Sequence, residues 1–453
     1  MRNRAEQGDV NLTSARERYR KEALSGSARE LVERDAQVFL HQALSTPVLN
    51  ALTKARGTTI TDIAGQEYLD MHGNGVHNAG FNHPRILDAV RAQLDAELAF
   101  CPRRYTNEPA VALAEKLAAI TPEGLSRSLF CPGGSEAVEM SLALARLATD
   151  RFKTISFWGS FHGAGFAAMS VGGEEHFTKG YGPLLPGAFK IDFPDYYRNP
   201  WGFEDPADVD DECLRQMERV LCNEGGISAV IAEPVSATPV IPSRSFWQQA
   251  RKLCDRHGAL LIFDEIIEGL GRTGKMFCCE HFLTPDILVL GKSLGGGLLP
   301  FAGIVAREEL NTAGHRSVGH YTHEKNALCA TAALAEIEVI EQEGLAEQAA
   351  EIGEYALDRL LEMRDAHPLI GHVAGLGLHM GIDLVRDKVS KERADKEAES
   401  VMYRCLEKGL SFKIIENSVI TLRPSLVISR GQMDRALAIL DTADSAAGKP
   451  SRK

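Results

Sequence analysis

Short, uninterrupted apolar runs alternate with amphipathic stretches through the middle of the chain. Thr154-Ile155-Ser156-Phe157, Ala229-Val230-Ile231-Ala232, Leu260-Leu261-Ile262-Phe263 and Ile287-Leu288-Val289-Leu290 are of this kind. Such runs, flanked by helices, are what parallel strands covered on both faces require. Between two of them, Phe246 to His257 carries apolar residues near helical spacing and stops at Gly258, a natural residue to follow a helix end. The pattern predicts an α/β sheet. Upstream, Leu, Val and Ala recur at roughly helical spacing over residues 12–43 among many charges, which predicts a surface or partner-contacting helix. The alternation Thr59-Ile60-Thr61-Asp62-Ile63, followed by Gly65 and Tyr68-Leu69-Asp70, predicts a hairpin over 57–76 that leads into Gly73-Asn74-Gly75. After Ala330 a long helix runs through Ala335 to Ile340, then strand-like Leu378–Leu384 and Val419–Leu422 predict an α+β segment. The expected organisation is a small domain built from residues 1–98 and 335–453 around a large domain, 99–334. The last ten or so residues are expected to be disordered.

Composition narrows the function. At 453 residues, with 44% hydrophobic and 25% charged, the chain has material for two or three domains. Lys and Arg number 50 against 62 Asp and Glu, a net charge of −12, so no broad basic face for nucleic acid is expected. The nine cysteines include no C-x-x-C pair and no metal-ligand spacing, and read as reduced thiols with no metal. Met1-Arg2-Asn3-Arg4 runs into charged residues without an apolar signal segment, and no stretch approaches the roughly 20 apolar residues of a bilayer span. A cytoplasmic protein without membrane or nucleic-acid partners is the expectation.

In open parallel sheets, ligands bind beyond the carboxyl ends of the strands. The polar residues there are Gly159 to Gly163, Glu233-Pro234, Asp264-Glu265 and Lys292-Ser293. Singly, a strand-end acid more often caps a helix and a lysine is usually solvated. Together, carboxylates, a histidine and a lysine converge on one edge. Gly269-Leu270-Gly271-Arg272-Thr273-Gly274-Lys275 fits G-x-x-x-x-G-K, but Met276 stands where Ser or Thr must hold Mg²⁺, and one strand cannot serve both the phosphate loop and the metal-binding acid. A nucleotide triphosphatase is therefore excluded. Phe130-Cys131-Pro132-Gly133-Gly134-Ser135-Glu136 is a glycine-rich turn opening a helix to about Ala148, where backbone N–H groups and the positive helix end suit a phosphate.

In order and spacing, this turn, Phe161-His162-Gly163, Glu233-Pro234, Asp264, the Gly269–Gly274 loop and Lys292 before Gly295-Gly296-Gly297 resemble the class III aminotransferase family of pyridoxal-phosphate enzymes. The resemblance spans roughly Thr46 to Leu440 and is most specific from His257 to Pro300. It implies a fold-type I architecture, a large domain with a mostly parallel seven-stranded sheet plus a smaller α+β domain, and pyridoxal 5′-phosphate as cofactor. It implies Lys292 as the Schiff-base lysine and later the base, and Asp264 as partner of the pyridine nitrogen. Phe161 would stack on the ring and Ile266 cover its other face. Gly133, Gly134 and Ser135 would hold the phosphate, and His162 and Glu233 would line the cofactor. Thr322, in Gly319-His320-Tyr321-Thr322, would reach the phosphate of the neighbouring subunit's cofactor, which makes a homodimer obligatory.

Three departures bear on the reaction. Where the family often has Gln, three residues after the aspartate, this chain has Ile267. The family's carboxylate-binding Arg usually stands three residues before a Pro; Thr421 takes that place, and Arg423 directly precedes Pro424. Cys101-Pro102-Arg103-Arg104-Tyr105-Thr106-Asn107 puts two cations where neutral residues are common, favouring a strongly anionic group such as a phosphonate. The alternative for that pair is one Arg solvated and one paired with an acid. The family contains ammonia-lyases that need no second substrate, and Met71 to Asn78, Cys101 to Asn107 and Phe193 to Trp201 look most like those acting on (R)-1-hydroxy-2-aminoethylphosphonate. The resemblance thus implies a lyase forming phosphonoacetaldehyde and ammonia from this small anionic amine. An ω-aminotransferase using a 2-oxo acid is the alternative, ahead of an aminomutase or racemase and of a non-catalytic cofactor-binding protein.

Overall fold

The computed structural model describes residues 11–447 apart from Leu44 and Pro47. The chain divides into two compact units, Pro84–Glu347 and, together, Met1–His83 with Gln348–Lys453.

The larger unit is built on a seven-stranded sheet. Its strands are β1 (Leu125–Cys131), β2 (Lys153–Phe157), β3 (Ala188–Ile191), β4 (Ile227–Ala232), β5 (Leu260–Asp264), β6 (Ile287–Leu290) and β7 (Ala302–Arg307), in the order β1-β7-β6-β5-β4-β2-β3. Strands β2 to β6 pair in parallel, and only β7 runs antiparallel, to both β6 and β1. The four apolar runs seen in the sequence are β2, β4, β5 and β6; every residue of β4 and β6 is buried. Helix α1 (Gly134–Thr149) lays Ala137, Val138, Met140 and Leu144 on Ile231, Ile262, Val289 and Ile304 to form the main core. Each such buried Val, Leu, Ile or Met side chain contributes about 1.5–3 kcal/mol. Helix α2 (Arg244–His257) begins where Ser243 Oγ accepts the Phe246 N–H at 2.9 Å and ends at Gly258, φ +64°. Its Trp247 Nε1–H donates to the Pro234 carbonyl at 3.1 Å, fixing the segment that follows β4.

Helix α3 (Ala327–Gln342) packs on helix Pro84–Asp95: Thr331 Oγ1 donates to Gln93 Oε1 at 3.2 Å, and Gly296 lies against both Ile86 and Ala332. The chain passes from one unit to the other after His83 and after Glu347.

In the smaller unit the stretch 12–43 forms two helices instead of one, Ala15–Glu22 and Gly26–Val38, because Ser25 Oγ accepts the Ala28 N–H and starts the second afresh. The expected hairpin is present as Thr59–Asp62 against Glu67–Asp70, its turn fixed by Asp62 Oδ1 accepting the N–H groups of Ala64 and Gln66, both at 2.9 Å. Leu52–Arg56 and Leu410–Ser411 complete that sheet. A second antiparallel sheet joins Ile370–Leu376, His379–Asp387, Val419–Leu422 and Lys413–Ile415. The last helix, Arg430–Ala447, extends into the tail expected to be disordered; 448–453, like the first ten residues, lie outside the described residues. Among the described residues no helix is long and apolar enough to cross a membrane.

Candidate active site

The carboxyl ends of β1, β4, β5 and β6 carry most of the residues singled out in the sequence. Asp264 ends β5 and is buried. Its Oδ2 accepts from His162 Nδ1 at 2.8 Å and its Oδ1 accepts the Ile266 N–H at 3.1 Å. Because the aspartate can only accept, His162 carries its proton on Nδ1. The His162 ring is 1% exposed, and its Nε2 has no hydrogen-bond partner among the described residues.

Glu233, just after β4, is buried, with one oxygen accepting the Ala237 N–H at 3.1 Å. Burial raises its pKa; His162 and Lys292 pull it down, whereas Asp264 pushes it up. Those interactions put Lys292, Asp264, His162 and Glu233 in one electrostatic cluster. Lys292 follows β6 and Gly291, is half-buried, and opens the short 3₁₀ turn Lys292–Gly295 with φ +47°. A non-glycine residue in the left-handed region is strained by about 1–3 kcal/mol and is held there by its surroundings. Behind it, Ser293 Oγ donates to Glu336 Oε1 at 2.5 Å, tying the turn to α3.

The glycine-rich turn after β1 is packed against the same cluster. Gly133 precedes α1, and a Cβ on Gly134 would stand 2.8 Å from Ile266 Cδ1. Ser135 Oγ accepts the Ala164 N–H at 3.0 Å, and Gly163, φ +129°, leaves room for Ser135 Cα, which a Cβ would meet at 2.8 Å. Thus the loop carrying Phe161 and His162 rides on the first turn of α1. Phe161 is half-buried with its ring 4.4 Å from that of Phe177.

The loop over Gly269–Gly274 closes on itself, Gly271 N–H to Met276 O at 3.1 Å, and leads into a 3₁₀ turn, Cys278–His281, with no helix of P-loop type. Glu265, the second of the two acids at the end of β5, braces that turn: its two oxygens accept the N–H groups of Cys278 and Cys279, both at 2.6 Å. Burial raises its pKa to about 7 against the opposing pull of those donors.

The remaining candidates lie on other segments of the chain. Thr322 is exposed, on the segment 317–325. Arg103 is engaged by His320 and by Glu324, its Nε 3.8 Å from Glu324 Oε1, while Arg104 is exposed. Arg423 belongs to the smaller unit, where it is buried one residue past its strand, its N–H donating to Met71 O at 2.6 Å; Thr421 is buried with Oγ1 donating to Lys413 O at 3.1 Å. Among the described residues no group of three or more His, Cys, Asp or Glu is arranged to hold a metal ion.

The family model for class-III aminotransferases matches residues 41–443. The chain is 44% identical over 452 residues to an (R)-1-hydroxy-2-aminoethylphosphonate ammonia-lyase of Vibrio splendidus, covering 96% of this chain and 94% of that one. It is 34% identical to a leucine/methionine racemase of Thermococcus litoralis, covering 91% and 95%. A PLP-bound amine transaminase from an uncultivated Pseudomonas species superposes with a TM-score of 0.86 at 31% identity, covering 91% of this chain and 99% of that one.

Proposed function

The chain belongs to the class III aminotransferase family of pyridoxal-phosphate enzymes, and from that premise we propose that it is an ammonia-lyase converting (R)-1-hydroxy-2-aminoethylphosphonate to phosphonoacetaldehyde and ammonia. The observation that carries this reading is the likeness to the Vibrio lyase along nearly the whole chain, stronger than that to the racemase.

The residues fit the cofactor on two counts: Gly134 leaves beside Ile266 a cradle that a Cβ would fill, and Asp264 is a buried carboxylate oriented by His162. Lys292, Asp264, Phe161, Ile266 and the turn Gly133-Gly134-Ser135 would hold it, with His162 and Glu233 alongside. Bound pyridoxal phosphate supplies the electron sink that acidifies the carbon bearing the amine.

With the cofactor bound, Asp264 would hold a proton on its ring nitrogen, and the His162 N–H on Oδ2 holds that carboxylate in one orientation. Lys292 Nζ takes the proton from the amino-bearing carbon, with Glu233 close enough to feel the charge it then carries. The β-hydroxyl then departs as water with the proton that Lys292 Nζ holds, a water adds back to the unsaturated amine, and ammonia and the aldehyde separate, so that no 2-oxo acid is consumed. Backbone N–H groups at the start of α1 bind phosphate with the help of the helix dipole. The cation of the larger unit offered to the substrate's phosphonate is Arg104, which is exposed. We take the working form as a cytoplasmic homodimer in which Thr322 reaches the other subunit's cofactor phosphate. The nine cysteines, all free thiols, suit a reducing compartment.

The test is ammonia release from the purified holoenzyme given the hydroxylated aminoethylphosphonate with no 2-oxo acid. Stoichiometric ammonia and aldehyde are expected. Trace ammonia, with an amine formed stoichiometrically from pyruvate or 2-oxoglutarate, would make the chain an aminotransferase instead.

A further inference from the structure

The stretch from Phe100 to Asn107 and the stretch from Ser317 to Lys325 face each other and are stitched at four points. Arg103 Nη2 donates to His320 Nε2; Arg103 Nε lies 3.8 Å from Glu324 Oε1; Asn107 Nδ2 donates to Lys325 O at 2.9 Å; and the Phe100 and His323 rings meet edge-on at 5.1 Å. Neither stretch is loosely held at its base. The Tyr105 N–H closes a turn on Pro102 O at 2.8 Å, and Asn107 Oδ1 caps the next helix through Ala110 N–H at 3.0 Å. On the other side, Val318 and Tyr321 pack on the core beneath α1, and a Cβ on Gly319 would meet Met140 Sδ of α1 at 2.7 Å.

Arg103 is the charged member of this seam. Because its guanidinium can only donate, His320 accepts on Nε2 and carries its proton on Nδ1, toward Ser317 Oγ at 3.4 Å. Glu324 is mostly shielded; burial raises its pKa while Arg103 draws it down. The two partners of Arg103, residues 320 and 324, bracket Thr322. One planar, forked cation thus grips both sides of the residue that the reading above assigns to the neighbouring subunit's cofactor phosphate.

We propose that Arg103 is a positioning residue that holds the Gly319–Glu324 segment in place for cofactor phosphate binding across the dimer, and that it is not a substrate ligand. The proposal rests on the assignment of Thr322 made above. It divides the labour of an adjacent pair that looks equivalent in sequence: Arg103 turns inward to the seam, and Arg104 stays exposed for an anionic substrate.

The experiment measures cofactor retention apart from turnover. Holoenzymes carrying Arg103→Ala, Glu324→Gln, Arg104→Ala or Thr322→Ala are diluted to equilibrium, and released pyridoxal phosphate is read from the visible absorbance. Arg103→Ala and Glu324→Gln should each weaken retention by roughly fivefold, the scale of a partly shielded ion pair. Combining either with Thr322→Ala should add little, since all three act through one segment. With cofactor in excess, the KM for the anionic amine should rise in Arg104→Ala and stay in place in Arg103→Ala. Arg103→Lys, which keeps the charge but not the fork, should restore retention in part. Unchanged retention in both Arg103→Ala and Glu324→Gln, or a raised KM in Arg103→Ala with retention intact, would overturn the proposal. Loss of retention in those variants but not in Thr322→Ala would uphold the seam and remove the role given to Thr322. Because retention does not depend on which amine is turned over, the result stands whether the enzyme proves a lyase or an aminotransferase.

Discussion

Replacing Glu265 by glutamine should change how stability depends on pH. The side chain is 1% exposed and accepts two backbone N–H groups. Its pKa is raised from 4.5 to about 7, chiefly by burial. A carboxyl with a raised pKa in the folded state is, in effect, favoured by folding when it carries its proton. Below pH 4.5 it is protonated in both states and costs nothing. Between 4.5 and about 7 the unfolded chain releases the proton while the folded chain keeps it, so stability falls by about 1.4 kcal/mol per pH unit, roughly 3 kcal/mol in all, and then levels off. The glutamine removes this slope and adds a pH-independent cost. Its amide offers one oxygen where two donors converge, leaving one N–H unsatisfied at about 1–3 kcal/mol. The stability of the wild type minus that of Glu265→Gln should therefore be largest near pH 5 and shrink by roughly 3 kcal/mol toward pH 8. Reversible denaturant unfolding of both holoenzymes at several pH values measures that difference directly and cancels the contributions of Asp70 and Glu233, whose pKa values are also raised by burial. Parallel curves, with a constant gap from pH 5 to 8, would refute the account of Glu265 as a carboxyl that burial keeps partly protonated.

Gly163→Ala should lower the unfolding free energy by about 2–5 kcal/mol, because φ +129° strains any side chain and the new Cβ meets the backbone Cα of Ser135 at 2.8 Å; calorimetry should show a drop of several degrees in Tm, with cofactor retention weakened too. Lys292→Ala should abolish ammonia release and the visible absorbance band of the lysine-bound cofactor; an unchanged spectrum would remove Lys292 from its assigned role.

The strands of the larger unit were legible because burial on both faces forces continuous apolar runs, and β2, β4, β5 and β6 stand where those runs lie. Residues 12–43 misled because the break between two helices depends on one capping hydroxyl, Ser25, that leaves the apolar spacing intact on either side. The site was legible where it follows strand ends. Asp264, Glu233 and Lys292 are found there, and the His162–Asp264 hydrogen bond and the Gly134–Ile266 contact link pieces that are 102 and 132 residues apart in sequence. What sequence could not give is partnership. Nothing in Arg103-Arg104 says that the first cation faces His320 and Glu324, and nothing in Asp264-Glu265 says that the second carboxyl is a brace for Cys278 and Cys279. These are consequences of which loops meet, and loops carry no periodic signal.

In the sheet of the larger unit the antiparallel strand, β7, acts as a ruler. Gly303 pairs on one side with Leu290, two residues before Lys292, and on the other with Phe130, three residues before Gly133. Two strand spacings therefore separate the strand before Lys292 from the strand before Gly133, about 10 Å of backbone ladder that no side-chain substitution can lengthen. The rung at its centre is itself uncrowdable: a Cβ on Gly303 would meet Phe130 Cδ1 at 2.7 Å and Leu129 O at 2.8 Å. Residues 291–301 leave this edge and return to it, so inserting or deleting one residue there would slip β7 against β6 or β1, or strain the loop that presents the lysine. The sheet itself thus sets the spacing between the strand ends that carry Lys292 and Gly133.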